Sequence, residues 1–142
     1  MATTNVRRVP GWYWAAAIAA VLFMAVGCAG MVMDMMTDPH SLEPAQRALY
    51  IARPPWMKLA YTLAVWSGLA GALVLLVRWR AAVPVLLVSL VATVFTFLPY
   101  AIVPGVRAAV QTGDVVAAVI VIALVALTCA FARHSRRQGW LR

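Results

Sequence analysis

The stretch that decides the fold is residues 56–103, WMKLAYTLAVWSGLAGALVLLVRWRAAVPVLLVSLVATVFTFLPYAIV. Two apolar runs, 56–77 and 82–103, flank a short basic connection that begins Arg78-Trp-Arg80. A helix needs roughly 20 apolar residues to cross a bilayer, and lipid offers no partners for backbone N–H and C=O groups. The stretch therefore predicts two membrane-spanning helices joined in a tight antiparallel hairpin.

Two further apolar runs, 12–36 and 115–133, lie on either side of this hairpin. Of the 142 residues, 65% are hydrophobic and 11% charged, whereas soluble domains have about 45–50% and about 25%. This composition excludes a soluble enzyme or a disulfide-rich domain, and the runs lack the period-2 alternation of a membrane β-barrel. We predict a single all-α membrane domain over 1–142, a polytopic four-transmembrane-helix bundle in the lipid bilayer.

Basic residues concentrate on one side of the predicted bundle, where no acidic residue falls. They are Arg7, Arg8, Arg78, Arg80, Arg133, Arg136, Arg137 and Arg142. The positive-inside rule then places both termini in the cytoplasm of a bacterial inner-membrane protein, with 134–142 as a basic tail. Because these charges sit at the ends of apolar runs and not along one face, we expect no nucleic-acid partner.

The longest polar stretch, 37–55, is predicted to lie outside the membrane. Ser41 as N-cap and Pro44 in the first turn predict a short helix there, which Arg53-Pro-Pro ends. At the outer ends of the first two spans, Asp34 is expected to cap a helix or to pair with Arg53 or Lys58.

Two polar or soft stripes follow single helix faces. On the first helix the stripe is Met24, Cys28, Met31 and Met35, with His40 beyond it. Packing is the favoured interpretation, and a copper(I) site is the alternative because thioethers, thiols and imidazoles are soft ligands. A lipoprotein signal ending at Cys28 is disfavoured, since the apolar run continues past it.

On the third helix the stripe is Ser89, Thr93, Thr96 and Tyr100. These hydroxyls could line a path for a sugar-like solute, or bond to the i−4 carbonyl or a neighbouring helix. Either role predicts that the stripe faces protein and not lipid. A third group consists of small residues that permit close helix packing: Gly27, Ser67, Gly68, Gly71 and Ala72.

Ionisable residues are missing from the middle of every apolar run, which argues against a self-sufficient ion-coupled pump. The chain also lacks a His pair for haem within those runs, a Cys-x-x-Cys motif and a Gly-rich phosphate loop. We therefore expect no enzymatic activity and no cofactor.

Four segments carry a resemblance to a known family. They are GMVMDMMT at 30–37, ARPPWMKLAY at 52–61, AVWSGLAG at 64–71 and the RWR turn at 78–80. Together they resemble a bacterial family of small four-helix inner-membrane proteins that often carries the label "sugar transporter". The likeness covers roughly residues 14–97, with Met35 where the family tends to have an aromatic residue. It implies the four-helix fold and adds transport as a hypothesis, but assigns no catalytic or binding residue.

Three functions follow as hypotheses. The chain could act by association in the membrane, as an accessory subunit of a membrane-protein partner or as a homo-oligomer. The lack of catalytic motifs and the small-residue faces favour this hypothesis. It could be a small-solute carrier that works as an oligomer, as the hydroxyl stripe and the resemblance suggest. The third hypothesis is copper handling through the soft-ligand stripe.

Overall fold

The computed structural model describes residues 8–142, so Arg7, used above for orientation, lies outside the described range. The helices in chain order are α1 (Gly11–Met36), α2 (Pro44–Ala52), α3 (Pro55–Leu76), α4 (Ala82–Phe97), α5 (Pro99–Ile102), α6 (Pro104–Ala109) and α7 (Thr112–Arg137), with a 3-10 turn (Pro39–Ser41) before α2. Four segments are long and apolar enough to cross a membrane: α1, α3, α4 with α5, and α7. The prediction of an all-α four-helix membrane bundle is confirmed.

The α3–α4 hairpin is the centre of the bundle. α1 packs on α3 and α7 packs on α4, whereas α1 and α7 meet through side chains such as Tyr13 and Phe131, whose ring centres are 5.4 Å apart. A Cβ added at Gly71 would lie 2.8 Å from Leu86 Cγ and 3.3 Å from the Leu86 backbone nitrogen. One at Gly68 would lie 2.7 Å from Met24 Sδ and 2.8 Å from Ser89 Oγ. The small residues of α3 therefore bring helices of the same chain together.

The bundle ends that hold Arg78 and Asp34 are called the Arg78 end and the Asp34 end. At the Arg78 end the last residues fold back onto the bundle. Gly139, at φ 74, reverses the chain after α7, and the N–H groups of Gly139 and Trp140 bond to the carbonyls of Arg136 and Ser135. These two bonds form a Schellman motif, the usual helix end with glycine in the left-handed region. The segment 134–142, predicted as a basic tail, therefore begins as helix and ends docked, with Trp140 and Leu141 buried.

Arg78 holds this docked segment in place. Its own backbone is left-handed, at φ 67, and ends α3. Its Nε donates to the Trp140 carbonyl at 2.8 Å, and its carbonyl accepts from the Arg142 N–H at 2.6 Å. Next to these bonds, the Tyr13 hydroxyl donates to the Leu75 carbonyl at 2.6 Å within a core cluster built from all four spans. The Arg78 end is therefore tightly packed.

At the Asp34 end the structure contains two short helices where the sequence predicted one. The N-cap of α2 is Glu43 and not Ser41, because Ser41 belongs to the 3-10 turn and its Oγ donates to the Asp38 carbonyl. The second helix, α6, begins at Pro104 and packs against α2. Leu49 of α2 and Val106 of α6 are buried.

A proline interrupts the third span, and the fourth span begins earlier than its sequence boundary. Pro99 interrupts the third span without ending it, since Leu98 keeps helical angles and α5 continues to Ile102. The fourth span begins before 115 because Gln111 and Asp114 form a capping box at the start of α7.

Candidate functional site: a cavity and a charged vestibule at the Asp34 end

The hydroxyl stripe of α4 faces protein. Ser89, Thr93 and Thr96 are all buried. Ser89 Oγ donates to the Ala64 carbonyl of α3 at 2.8 Å, while Thr93 and Thr96 donate to i−4 carbonyls of their own helix at 2.7 and 2.8 Å. The main chain therefore takes up the hydroxyl protons, so these residues offer a ligand no free donor.

A cavity of about 250 Å³ lies beside this stripe, between the four spans; we call it the central cavity. Its lining is almost wholly apolar, and comprises Phe23, Met24, Val26, Gly27, Tyr61, Ala64, Val65, Ser89, Thr93, Thr96, Phe97, Val121 and Val125. Because all four hydroxyl residues of the lining, Tyr61 included, donate to carbonyls, the cavity suits a hydrocarbon group better than a polar one.

The central cavity has an open side. Val26, which belongs to its lining, is 71% exposed, and Phe23 and Val121 are half-buried. These residues belong to α1 and α7, whose aromatic contacts at Trp12, Tyr13 and Phe131 lie nearer the Arg78 end. The cavity is therefore accessible sideways from the lipid that surrounds the spans.

A second space of about 220 Å³, the vestibule, lies next to the central cavity at the Asp34 end. The two share Tyr61, Thr96 and Phe97. The other lining residues of the vestibule are Gly30, Asp34, Arg53, Met57, Lys58 and Tyr100. A charged space thus lies against an apolar one, and together they fall in the roughly 300–1,000 Å³ range of small-molecule sites.

The vestibule carries one more positive than negative side chain. Asp34 Oδ1 lies 3.3 Å from Arg53 Nη1, so the acid expected to pair with Arg53 or Lys58 pairs with Arg53. Lys58 Nζ lies 5.0 Å from the centre of the Tyr50 ring and stays exposed. Arg53 Nε is buried and has no hydrogen-bond partner within residues 8–142. A buried N–H without an acceptor costs about 1–3 kcal/mol, which an acceptor on a ligand would recover.

The soft-ligand stripe does not form one cluster. Met31 is buried, Cys28 half-buried and Met35 67% exposed, while His40 is exposed in the 3-10 turn. In the range 8–142 no three His, Cys, Asp or Glu side chains are grouped as metal ligands. Met24, on the same stripe, packs onto Gly68, as the packing interpretation predicts.

Most of the small residues predicted to permit close helix packing lie in contacts of α3, and one of them lines the central cavity. Gly68, Gly71 and Ala72 are buried in the helix contacts of α3, and the Ser67 hydroxyl donates to the Leu63 carbonyl of the same helix. Gly27 instead lines the central cavity, and a Cβ there would meet only Val65 Cγ2, at 4.0 Å.

Sequence reasoning did not single out Tyr61, which lines both spaces and donates to the Gly27 carbonyl at 3.4 Å. One signal was present, since Tyr61 follows Met57 and Lys58 by four and three residues and so shares their helix face.

The two segments that carry most of the family resemblance meet at the vestibule. Asp34 comes from 30–37, and Arg53, Lys58 and Tyr61 come from 52–61. Their proximity shows that the resembling stretches are neighbours in space. No family model, curated protein or solved structure matches the chain, so the family and its transport label stay a prediction.

Proposed function

We propose that the chain is a non-enzymatic membrane protein that binds a small amphiphile with one negative charge. The head group would occupy the vestibule, and the hydrocarbon chain would occupy the central cavity. The observation that carries this proposal is that the two spaces are adjacent and share Tyr61, Thr96 and Phe97 in their linings. An apolar space that lies against a charged one matches the two halves of an amphiphile.

The charges of the vestibule favour an anionic head group. The vestibule has two positive side chains, Arg53 and Lys58, and one negative side chain, Asp34. Arg53 Nε is a buried donor without a hydrogen-bond acceptor among the described residues. A carboxylate or phosphate oxygen supplies that acceptor and gains a charge-assisted hydrogen bond. A positively charged head would meet Arg53 and Lys58 with no free carboxylate, since Asp34 already pairs with Arg53.

This proposal narrows the carrier hypothesis from a sugar-like solute to an amphiphile. A sugar buries many hydroxyl groups, and each needs a hydrogen-bond partner in the site. The hydroxyls of Ser89, Thr93 and Thr96 donate to carbonyls, and the remaining lining of the central cavity is almost entirely apolar. The stripe therefore supports helix packing better than sugar recognition.

We also propose a setting and a direction for the protein. In a bacterial cytoplasmic membrane, the positive-inside rule places the Arg78 end in the cytoplasm, because the acidic residues all belong to the Asp34 end. The vestibule then opens on the extracytoplasmic side. Association with a second copy or with another membrane protein remains a prediction, and it would use exposed helix faces because Gly68 and Gly71 are occupied within the chain.

Binding of laurate to the protein in nanodiscs tests the proposal, with lauryl alcohol and glucose as comparison ligands. We expect saturable laurate binding, weaker binding of the alcohol and none of glucose. Lys58→Gln should weaken laurate binding by roughly fivefold, the effect of about 1 kcal/mol. Arg107→Gln is the matched control, since it removes an exposed cation of the Asp34 end that does not line the vestibule.

A second pair of variants tests the central cavity. Gly27→Leu places a side chain in the cavity and should lower laurate affinity by at least about tenfold. Ala25→Leu adds similar bulk on the lipid-exposed side of the same helix and should leave affinity unchanged. Equal effects of Gly27→Leu and Ala25→Leu would contradict the cavity as the binding site. Saturable glucose binding would restore the sugar hypothesis.

A further inference from the structure

A second amphipathic site lies at the opposite end of the molecule, on the outside of the bundle. It is a groove of about 430 Å³ between α4 and α7, here called the α4–α7 groove. Its apolar part is formed by Leu87 and Leu90 of α4 and by Ala126 and Ala130 of α7. The wall is open to the membrane, since Ala130 is exposed. This part of the groove can hold a hydrocarbon chain against the protein.

Basic side chains close the groove at the Arg78 end. Arg133, His134 and Arg137 belong to its lining. Arg133 and Arg137 are one helical turn apart and lie on the same face of α7. The His134 ring is held edge-on to Trp140, with ring centres 5.7 Å apart. Two arginines and an oriented imidazole therefore meet where the apolar wall ends.

Among the described residues, these basic side chains have no acidic partner. Within residues 8–142 the structure has one salt bridge, Arg53 with Asp34, at the other end of the bundle. The other acids of the chain, Asp38, Glu43 and Asp114, also belong to that end. Arg133 and Arg137 are thus available to an anion from outside the chain.

The dimensions of the groove match one leaflet of a membrane. From Ala126 to Arg137 the helix rises about 16 Å, at about 1.5 Å per residue, and half of a hydrocarbon core is about 15 Å. Two other side grooves contrast with it. One lies between α1 and α7 around Ala16, the other between α3 and α4 around Leu63, and both are lined without any charged residue.

We infer that the α4–α7 groove binds an anionic phospholipid, with the phosphate at Arg133 and Arg137 and an acyl chain along Leu87 and Ala130. Basic pockets between membrane helices hold acidic lipid head groups by this combination of charge and apolar wall. The inference is independent of the proposed function, because it concerns the other end of the bundle and other residues. A general role of the arginines in topology or at the helix C-terminus would need only their charge and not the groove.

The test is native mass spectrometry of the full chain released from nanodiscs that contain equal amounts of phosphatidylglycerol and phosphatidylcholine. We expect the protein to retain phosphatidylglycerol preferentially. Arg133→Gln with Arg137→Gln should weaken that binding about 30-fold, since each cation near the surface contributes roughly a factor of five. The matched control is Arg80→Gln with Arg136→Gln, which removes two charges from the same end but outside the groove. This control should change binding less than about threefold.

A third variant separates a lipid from a free phosphate ion. Ala130→Phe fills the apolar wall at an exposed position and leaves both arginines in place. It should abolish lipid retention without lowering the melting temperature, and so serves even where the double variant fails to fold. The inference is overturned if the two charge variants lose lipid equally, or if phosphatidylcholine is retained as well as phosphatidylglycerol. It is also overturned if inorganic phosphate displaces the lipid or Ala130→Phe leaves retention intact.

Discussion

The close contact of Gly71 with Leu86 allows a sharp test of the central hairpin. Gly71→Ala would place a methyl group 2.8 Å from Leu86 Cγ and Cδ2, and 3.3 Å from the Leu86 backbone nitrogen. The side-chain atoms could turn away, but the backbone atom moves only if α4 shifts. Overpacking of this kind costs about 1–3 kcal/mol, and the higher helix propensity of alanine returns at most about 1 kcal/mol. We expect a net loss of about 1–2 kcal/mol in the free energy of unfolding.

Gly27→Ala is the matched control for this change. It adds the same methyl group to a glycine in another span, where the nearest atom would be Val65 Cγ2 at 4.0 Å. Its expected effect lies between zero and a gain of about 1 kcal/mol. Unfolding in mixed micelles with increasing sodium dodecyl sulfate measures both variants under the same conditions.

A double variant identifies the atom responsible. Leu86→Ala alone should cost about 2–5 kcal/mol because it leaves a cavity. In the double variant with Gly71→Ala, the clashing Cγ and Cδ2 atoms are absent. Its loss in the free energy of unfolding should therefore be about 1 kcal/mol smaller than the sum of the two single losses. Equal stability of the Gly71→Ala and Gly27→Ala proteins, or strict additivity with Leu86→Ala, would refute the close packing of α3 on α4.

Three further variants test other contacts by the same unfolding assay. Arg78→Ala should lower the free energy of unfolding by about 1 kcal/mol, because the hydrogen bond to the Trp140 carbonyl is lost. Arg78→Gly should lower it less, since glycine removes a left-handed strain of roughly 1–2 kcal/mol. A larger loss for Arg78→Gly than for Arg78→Ala would contradict the positive φ of Arg78. Ser89→Ala should cost about 0.6 kcal/mol and more than Thr96→Val, because only the serine bonds to a second helix; a larger effect of Thr96→Val would count against this assignment. Gly139→Ala should cost about 1 kcal/mol and speed hydrogen exchange in 138–142, and unchanged exchange would show that the turn does not hold the end in place.

The sequence alone was sufficient to predict the four spans and the short α3–α4 connection. Their signal is strong because lipid imposes one length and one kind of secondary structure on each run. The inward orientation of Ser89, Thr93 and Thr96 was also predictable from helical periodicity. What those hydroxyls bond to was not, since an i−4 carbonyl and a neighbouring helix are equally consistent with the pattern.

The two ends of the bundle were harder to predict. α6 was missed, although Pro104 is a typical first-turn residue, because six residues carry too little periodicity to predict a helix. The docking of Trp140 and Leu141 was missed because it depends on Gly139 and Arg78, which are far apart in the sequence. The pairing of Asp34 with Arg53 over Lys58 likewise depends on how α2 ends beside α3.

The vestibule shows the same limit for the candidate site. Asp34, Arg53 and Lys58 were predicted one by one as outer polar positions, and only the folded chain brings them together with Tyr61 beside the central cavity. No pattern in the sequence reports on an empty space between helices, because volume is a property of packing.

The packed layer around Tyr13 makes the molecule asymmetric in its exchange with the surroundings. A molecule in the central cavity can escape through the vestibule or sideways between α1 and α7, whereas at the Arg78 end the core cluster blocks its route. Its occupancy therefore follows the chemical potential of the ligand in the surrounding lipid and at the Asp34 end, without a direct route from the Arg78 end. To pass a ligand across, α1 would have to separate from α3 at the hydrogen bond between Tyr13 and Leu75, so that contact sets the barrier to passage through the membrane.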